Sequence, residues 1–244
     1  MEWINEKAKT LSQGAIRAMF DRANKMTDVI SLGIGEPDMT TPKEICDAAK
    51  QALDLGYTHY TPNAGLPVLR KAIAEKSYIK GLHYDPTKEI IITNGGMGAL
   101  SLLFLVLLNE GDEILIPSPD YPLWTATATL AGGKVVHYIC DEQAEWYPDM
   151  DDIKKKITDR TKAIVLINPN NPTGALYPKE ILEQIVELAR EHELLIFADE
   201  IYDRLVMDGK QHISIASLAP DLCVVSFNGL SKSHLIAGYR CGWM

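Results

Sequence analysis

Ala163-Ile-Val-Leu-Ile-Asn-Pro-Asn-Asn-Pro-Thr-Gly174 and Leu194-Leu-Ile-Phe-Ala-Asp-Glu-Ile-Tyr202 decide the fold. Each opens as an unbroken apolar run of strand length and then breaks into polar residues, prolines or a glycine. A strand with no polar alternate must be buried on both faces, as in a parallel sheet covered by helices on each side. Between the runs lies a helical stretch, 179–193, opened by Pro178. Ile181, Ile185, Leu188 and Leu182, Val186, Ala189 form its apolar stripe. The same alternation extends outward in both directions. Strands are expected at 29–34, 89–93, 113–117, 134–139, 163–168, 194–198 and 223–227. Helices are expected near 42–55, 66–80, 97–109, 123–130 and 150–157. Thr41-Pro-Lys-Glu44 reads as a capping box with proline at the first helical position. The expected architecture is α/β, a mostly parallel sheet sandwiched by helices over residues 29–244. An amphipathic arm over 1–28 precedes it.

The chain has 244 residues, 46% of them hydrophobic and 23% charged, which is ordinary for a soluble globular domain with one large core. A net charge of −9 argues against nucleic acid and anionic membranes as partners, both of which call for a basic surface. Cys46, Cys140, Cys223 and Cys241 are far apart, with no CxxC, and read as free thiols in a reducing cytoplasm. No metal site is expected. The most apolar run, 99–108, is about half the roughly 20 residues that a membrane span requires.

The polar breaks after the strands carry the chemistry. Lys232 lies in Ser226-Phe-Asn-Gly-Leu-Ser-Lys-Ser233, just after an expected strand. A lysine there can join an aldehyde cofactor if burial frees its amine of a proton. Arg240, in Gly238-Tyr-Arg-Cys-Gly242, presents a planar fork that matches phosphate oxygens. Asp199 closes its strand at the carboxyl end, where open α/β sheets bind ligands. Tyr202 follows three residues on, with a phenol free to donate. Thr93-Asn-Gly-Gly-Met97 leads from a strand into a helix, and the helix-start N–H groups of Gly95, Gly96 and Met97 suit a phosphate. Taken singly, each has a bland explanation: a solvated lysine, a surface arginine, a helix-capping aspartate, a core tyrosine, a glycine turn. No GxGxxG or Walker lysine points to a nucleotide fold.

Together, in this order and spacing, the motifs resemble those of the class I/II aminotransferases, in the fold type I group of pyridoxal-phosphate enzymes. The resemblance implies pyridoxal 5'-phosphate as cofactor, joined to Lys232 and held by Arg240 and the Gly95–Gly96–Met97 cup. Asp199 would face the ring nitrogen. Tyr202 and Asn171, the asparagine before Pro-Thr-Gly, would meet the ring oxygen, and Tyr121 would stack on the ring. Ser231 belongs to the same lysine segment. Ser31-Leu-Gly-Ile-Gly-Glu-Pro-Asp38 resembles the early glycine motif that puts Gly35, with Asn171, on the substrate side. Tyr60 matches the tyrosine that reaches the partner's phosphate, which implies a homodimer with a shared active site.

The implied reaction is transamination between an L-amino acid and a 2-oxo acid. Pro119-Asp-Tyr-Pro-Leu-Trp124 looks most like bacterial alanine aminotransferases. A C–S lyase or related pyridoxal-phosphate enzyme is an alternative, because the cofactor supplies the reactivity and the protein steers it. A cofactor-binding chain without turnover is another. The resemblance runs from about residue 29 to Met244, where relatives continue into a small domain carrying the arginine for the substrate carboxylate. The expectation is a C-terminally truncated chain of low activity, its end at 242–244 leaving an exposed sheet edge. Gly229, three before the lysine and often serine in relatives, is expected to weaken phosphate binding.

Overall fold

A computed structural model describes residues 3–11, 15–30, 32–33, 35–78 and 81–244. Helices α1 (Glu6–Lys9), α2 (Ala15–Ala23), α3 (Lys43–Asp54) and α4 (Pro67–Tyr78) come first. The alternating part follows as β1 (Ile92–Asn94), α5 (Gly95–Leu107), β2 (Glu113–Ser118), α6 (Pro122–Ala131) and β3 (Lys134–Asp141). Next come β4 (Tyr147–Pro148), α7 (Met150–Lys156), β5 (Thr161–Ile167), α8 (Lys179–Glu191), β6 (Leu195–Asp199), β7 (Val224–Gly229) and β8 (Cys241–Trp243). One sheet runs β1-β8-β7-β6-β5-β2-β3-β4. Pairings from β7 through β6, β5 and β2 to β3 are parallel, and β8 is antiparallel to both β7 and β1.

The unbroken apolar strands are buried on both faces, as their composition requires. Ala163, Val165 and Ile167 of β5 pack with Phe104 of α5 and Trp124 and Ala128 of α6. Ile164 and Leu166, the alternate residues, pack with Leu182, Ile185, Val186 and Ala189 of α8 and with Ile153 of α7. Local signals fix some ends. Asp149 accepts from the N–H groups of Asp151 and Asp152 at 2.9 and 3.0 Å and starts α7. Gly132 takes a left-handed φ of 100° and stops α6.

Several expectations fail. Residues 29–34 form no strand among the described residues: Ile30 and Leu32 are 89% and 93% exposed, with no neighbouring strand to pair them. Ser31 and Ile34 lie outside the described residues, as do Ile79 and Lys80 at the end of the expected helix 66–80. The expected strand 89–93 shrinks to Ile92–Asn94. The capping box does not form. Pro42 is the N-cap of α3 without a side-chain bond, and the Thr41 hydroxyl donates instead to the Leu235 carbonyl at 2.5 Å. The last strand is no sheet edge, since β8 lies between β1 and β7. Among the described residues, no helix is long and apolar enough to cross a membrane.

Candidate active site

The carboxyl ends of β6 and β7, the start of α5 and the turn before β8 converge on one crevice. Lys232 stands in the turn after β7, held by bonds from the Leu230 N–H to the Cys241 carbonyl (3.0 Å) and the His234 N–H to the Leu230 carbonyl (3.2 Å). Its ammonium donates to the carbonyl of Gly35 and lies 5.6 Å from the ring centroid of Tyr202. Burial lowers its pKa below the ordinary lysine value; the Glu36 carboxylate opposes that shift and Arg240 adds to it. A Cβ on Gly35 would stand 3.2 Å from the Tyr202 hydroxyl, so glycine keeps the backbone close to both side chains.

Asp199 ends β6, within electrostatic reach of Tyr202. Its Oδ2 accepts from the Trp124 indole N–H at 3.2 Å and its Oδ1 from the Ile201 N–H at 3.3 Å. Burial pushes the carboxyl above the usual aspartate value, and these two donors pull it back. The Tyr202 and Tyr121 phenols are raised too, first by burial and then by the field of Asp199. Arg240 partly offsets the rise at Tyr121. Tyr121, the N-cap of α6, therefore feels both Asp199 and Arg240.

The third part is a cradle built from glycine. Gly95 has φ +72°, and a Cβ there would run into the Arg240 guanidinium, with Cζ only 2.8 Å away. A Cβ on Gly242 would sit 2.6 Å from the Gly95 carbonyl carbon and 2.8 Å from the Gly96 nitrogen. The backbone of β8 thus lies directly against the first turn of α5. Arg240 has a left-handed φ of 54°, and its Nη1 donates to the Ala237 carbonyl at 2.9 Å. Asn94 caps α5 without a side-chain bond, which leaves the first N–H groups uncovered at the positive end of the helix. The helix begins at Gly95, two residues earlier than expected. Gly229 has a packing cause, because a Cβ would come 2.9 Å from the Cys241 carbonyl oxygen.

Lys232, Gly35, Tyr202, Asp199, Tyr121, Arg240 and Gly95 thus meet, with Gly96 and Met97 in the same helical turn. Asn171, half-buried, makes no side-chain hydrogen bond among the described residues. Its neighbours brace the loop: Asn168 accepts from the Tyr177 N–H at 2.9 Å, and Asn170 accepts from the Thr173 N–H and hydroxyl at 3.1 and 2.9 Å. The peptide bonds before Pro119, Pro169 and Pro172 are cis. Ser231 is half-buried beside the lysine, and Tyr60 is fully exposed and touches none of the cluster. Sequence reading missed Trp124 as the partner of Asp199. It also missed Thr93, whose buried hydroxyl donates to the Gly95 carbonyl at 2.9 Å. A cavity of about 590 Å³ between α4, the segment 88–91 before β1, β7 and β8 includes none of Lys232, Asp199, Tyr202 or Arg240 in its lining.

The sequence model described as aminotransferase class I and II matches residues 27–244. The glutamate-pyruvate aminotransferase AlaA of Haemophilus influenzae is 50% identical over 219 residues, covering 88% of this chain and 54% of that protein. An alanine aminotransferase of Mycobacterium bovis is 46% identical over 220 residues, covering 88% of this chain and 51% of its own length. The solved alanine aminotransferase from Pyrococcus furiosus superposes with a TM-score of 0.94 at 43% identity, over 99% of this chain and 63% of that one. The chain spans about half the length of these curated relatives. The sheet is that of the fold type I large domain, and enzymes of this class depend on pyridoxal phosphate. By the match over 27–244, this chain belongs to the class I and II aminotransferases.

Proposed function

We propose that this chain carries the cofactor site of an aminotransferase that moves an amino group between an L-amino acid, alanine favoured, and a 2-oxo acid. The observation that carries the reading is the meeting of Lys232 with Gly35 and Tyr202 close to Asp199, whose field reaches the Tyr202 phenol. Pyridoxal 5'-phosphate fits the residues present. The Gly95–Arg240 approach leaves no room for a Cβ but sets a guanidinium beside open helix-start N–H groups, a donor set suited to a phosphate dianion.

When bound, the cofactor supplies an aldehyde for amino groups and a ring that takes up carbanion charge. Arg240 and the N–H groups of Gly95, Gly96 and Met97 hold its phosphate, with Ser231 nearby. Asp199 holds a proton on the ring nitrogen. The Tyr202 hydroxyl and Asn171 donate to the ring oxygen, and Tyr121 covers a ring face. Lys232 Nζ, its proton affinity lowered by burial, takes the α-proton of the amino acid and returns it. Gly35 leaves open the space where the substrate carboxylate sits. A homodimer, with Tyr60 reaching the partner's phosphate, is supported by exposed Leu102, Leu105 and Val106 on α5. The proposal is of an enzyme of amino-acid metabolism, with the cytoplasm as its setting.

The test is incubation of the chain with pyridoxal phosphate, L-alanine and 2-oxoglutarate. Pyruvate and glutamate formed in equal amounts are expected. Pyruvate and ammonia from cystathionine without an oxo acid would favour a lyase instead, and no exchange with any amino donor would contradict the proposal.

A further inference from the structure

Trp124 is fully buried among Phe104, Phe197 and Phe227, at ring-centroid distances of 5.8, 6.5 and 5.2 Å. Its one polar atom, Nε1, is a donor that cannot accept, and it meets Asp199 Oδ2 at 3.2 Å. The partner of Oδ1, the Ile201 N–H at 3.3 Å, is donor-only as well. Two such donors stabilise a carboxylate more strongly than a protonated carboxyl, whose O–H neither of them can accept. We propose that Trp124 is a positioning residue: its indole N–H locks the rotation of Asp199 and keeps it ionised, so that the shared proton stays on the cofactor's ring nitrogen. The inference rests on the role given to Asp199 above.

Burial by itself favours the neutral acid, and a neutral acid leaves the ring nitrogen without its charge. The indole opposes that preference from a fully buried position, out of reach of solvent. Stacking on Phe197, with an interplanar angle of 20°, fixes the ring plane and so the direction of the N–H. Trp124 also sits in the first turn of α6, its backbone N–H donating to the Tyr121 carbonyl at 3.0 Å. One short turn therefore sets both the stacking tyrosine and the donor to Asp199.

The experiment compares pyridoxal phosphate titrations of wild type, Trp124→Phe, Trp124→His and Asp199→Ala, with each Trp124 variant also made in the Asp199→Ala background. Trp124→Phe keeps an aromatic ring and removes the donor, and should weaken binding ~10-fold, the size of a lost hydrogen bond to a charged group. Trp124→His restores a donor and should bind within ~3-fold of wild type. In the Asp199→Ala background, Trp124→Phe should change nothing further, because its effect runs through the carboxylate. An equal loss in both backgrounds, or no rescue by histidine, would reduce Trp124 to packing and overturn the proposal. Asp199→Ala binding as tightly as wild type would instead overturn the reading of Asp199, and this inference with it. The cofactor-free chain gives an independent readout: the Trp124 indole ¹⁵N–¹H resonance should shift on Asp199→Ala. No shift overturns the hydrogen bond directly.

Discussion

Asp199 is where burial and chemistry pull against each other. Its folded pKa is raised, so the folded chain keeps a proton over a window in which the unfolded chain has released it. The stability linked to this group is therefore complete below the ordinary aspartate value of about 3.9 and is lost as pH rises through the folded value. Asp199→Asn does not titrate. Its melting temperature relative to wild type should climb as pH is raised from about 4 to 7, and a difference that stays flat would contradict the burial argument. Asp199 was legible because it ends an apolar strand, and Lys232 because a glycine and serine turn follows another. Trp124 was not legible as a partner: an indole finds its acceptor through the fold, here 75 residues away.

At the scale of elements, the cradle depends on how closely β8 approaches the first turn of α5. Gly242→Ala would drive a methyl into the backbone of Gly95 and Gly96, which cannot yield as a side chain does. It should cost about 1–3 kcal/mol in urea denaturation. Gly96→Ala meets nothing within 4 Å and should leave stability within about 0.5 kcal/mol of wild type. Equal effects from the two would contradict the packing described. The long strands were readable because Ile, Val and Leu runs buried on both faces need no knowledge of neighbours. Val29, Ile30, Leu32 and Gly33 carried a similar signal and form no strand, since a strand exists only where another pairs with it. The place of β8 inside the sheet depends on pairing Trp243 with both Ile92 and Asn228, and no local pattern encodes that.

For the whole molecule, the homodimer proposal turns on the apolar side of α5. Leu105 and Val106 are 70% and 80% exposed, and with Leu102 they form one helical stripe turned away from the sheet. The homodimer proposal predicts that wild type sediments as a dimer and that Leu105→Glu weakens it roughly tenfold or more, given about 1.5–3 kcal/mol for a buried leucine. A monomeric wild type, or an unaltered dimer in the variant, would contradict it.

The central claim is that this chain assembles a cofactor pocket around Lys232. It is tested most directly by absorbance during titration with pyridoxal phosphate, beside Lys232→Ala, with folding of both followed by circular dichroism. A saturable visible band in wild type that disappears in Lys232→Ala is the predicted result. A folded wild type without the band, or a band unchanged by the substitution, would contradict it.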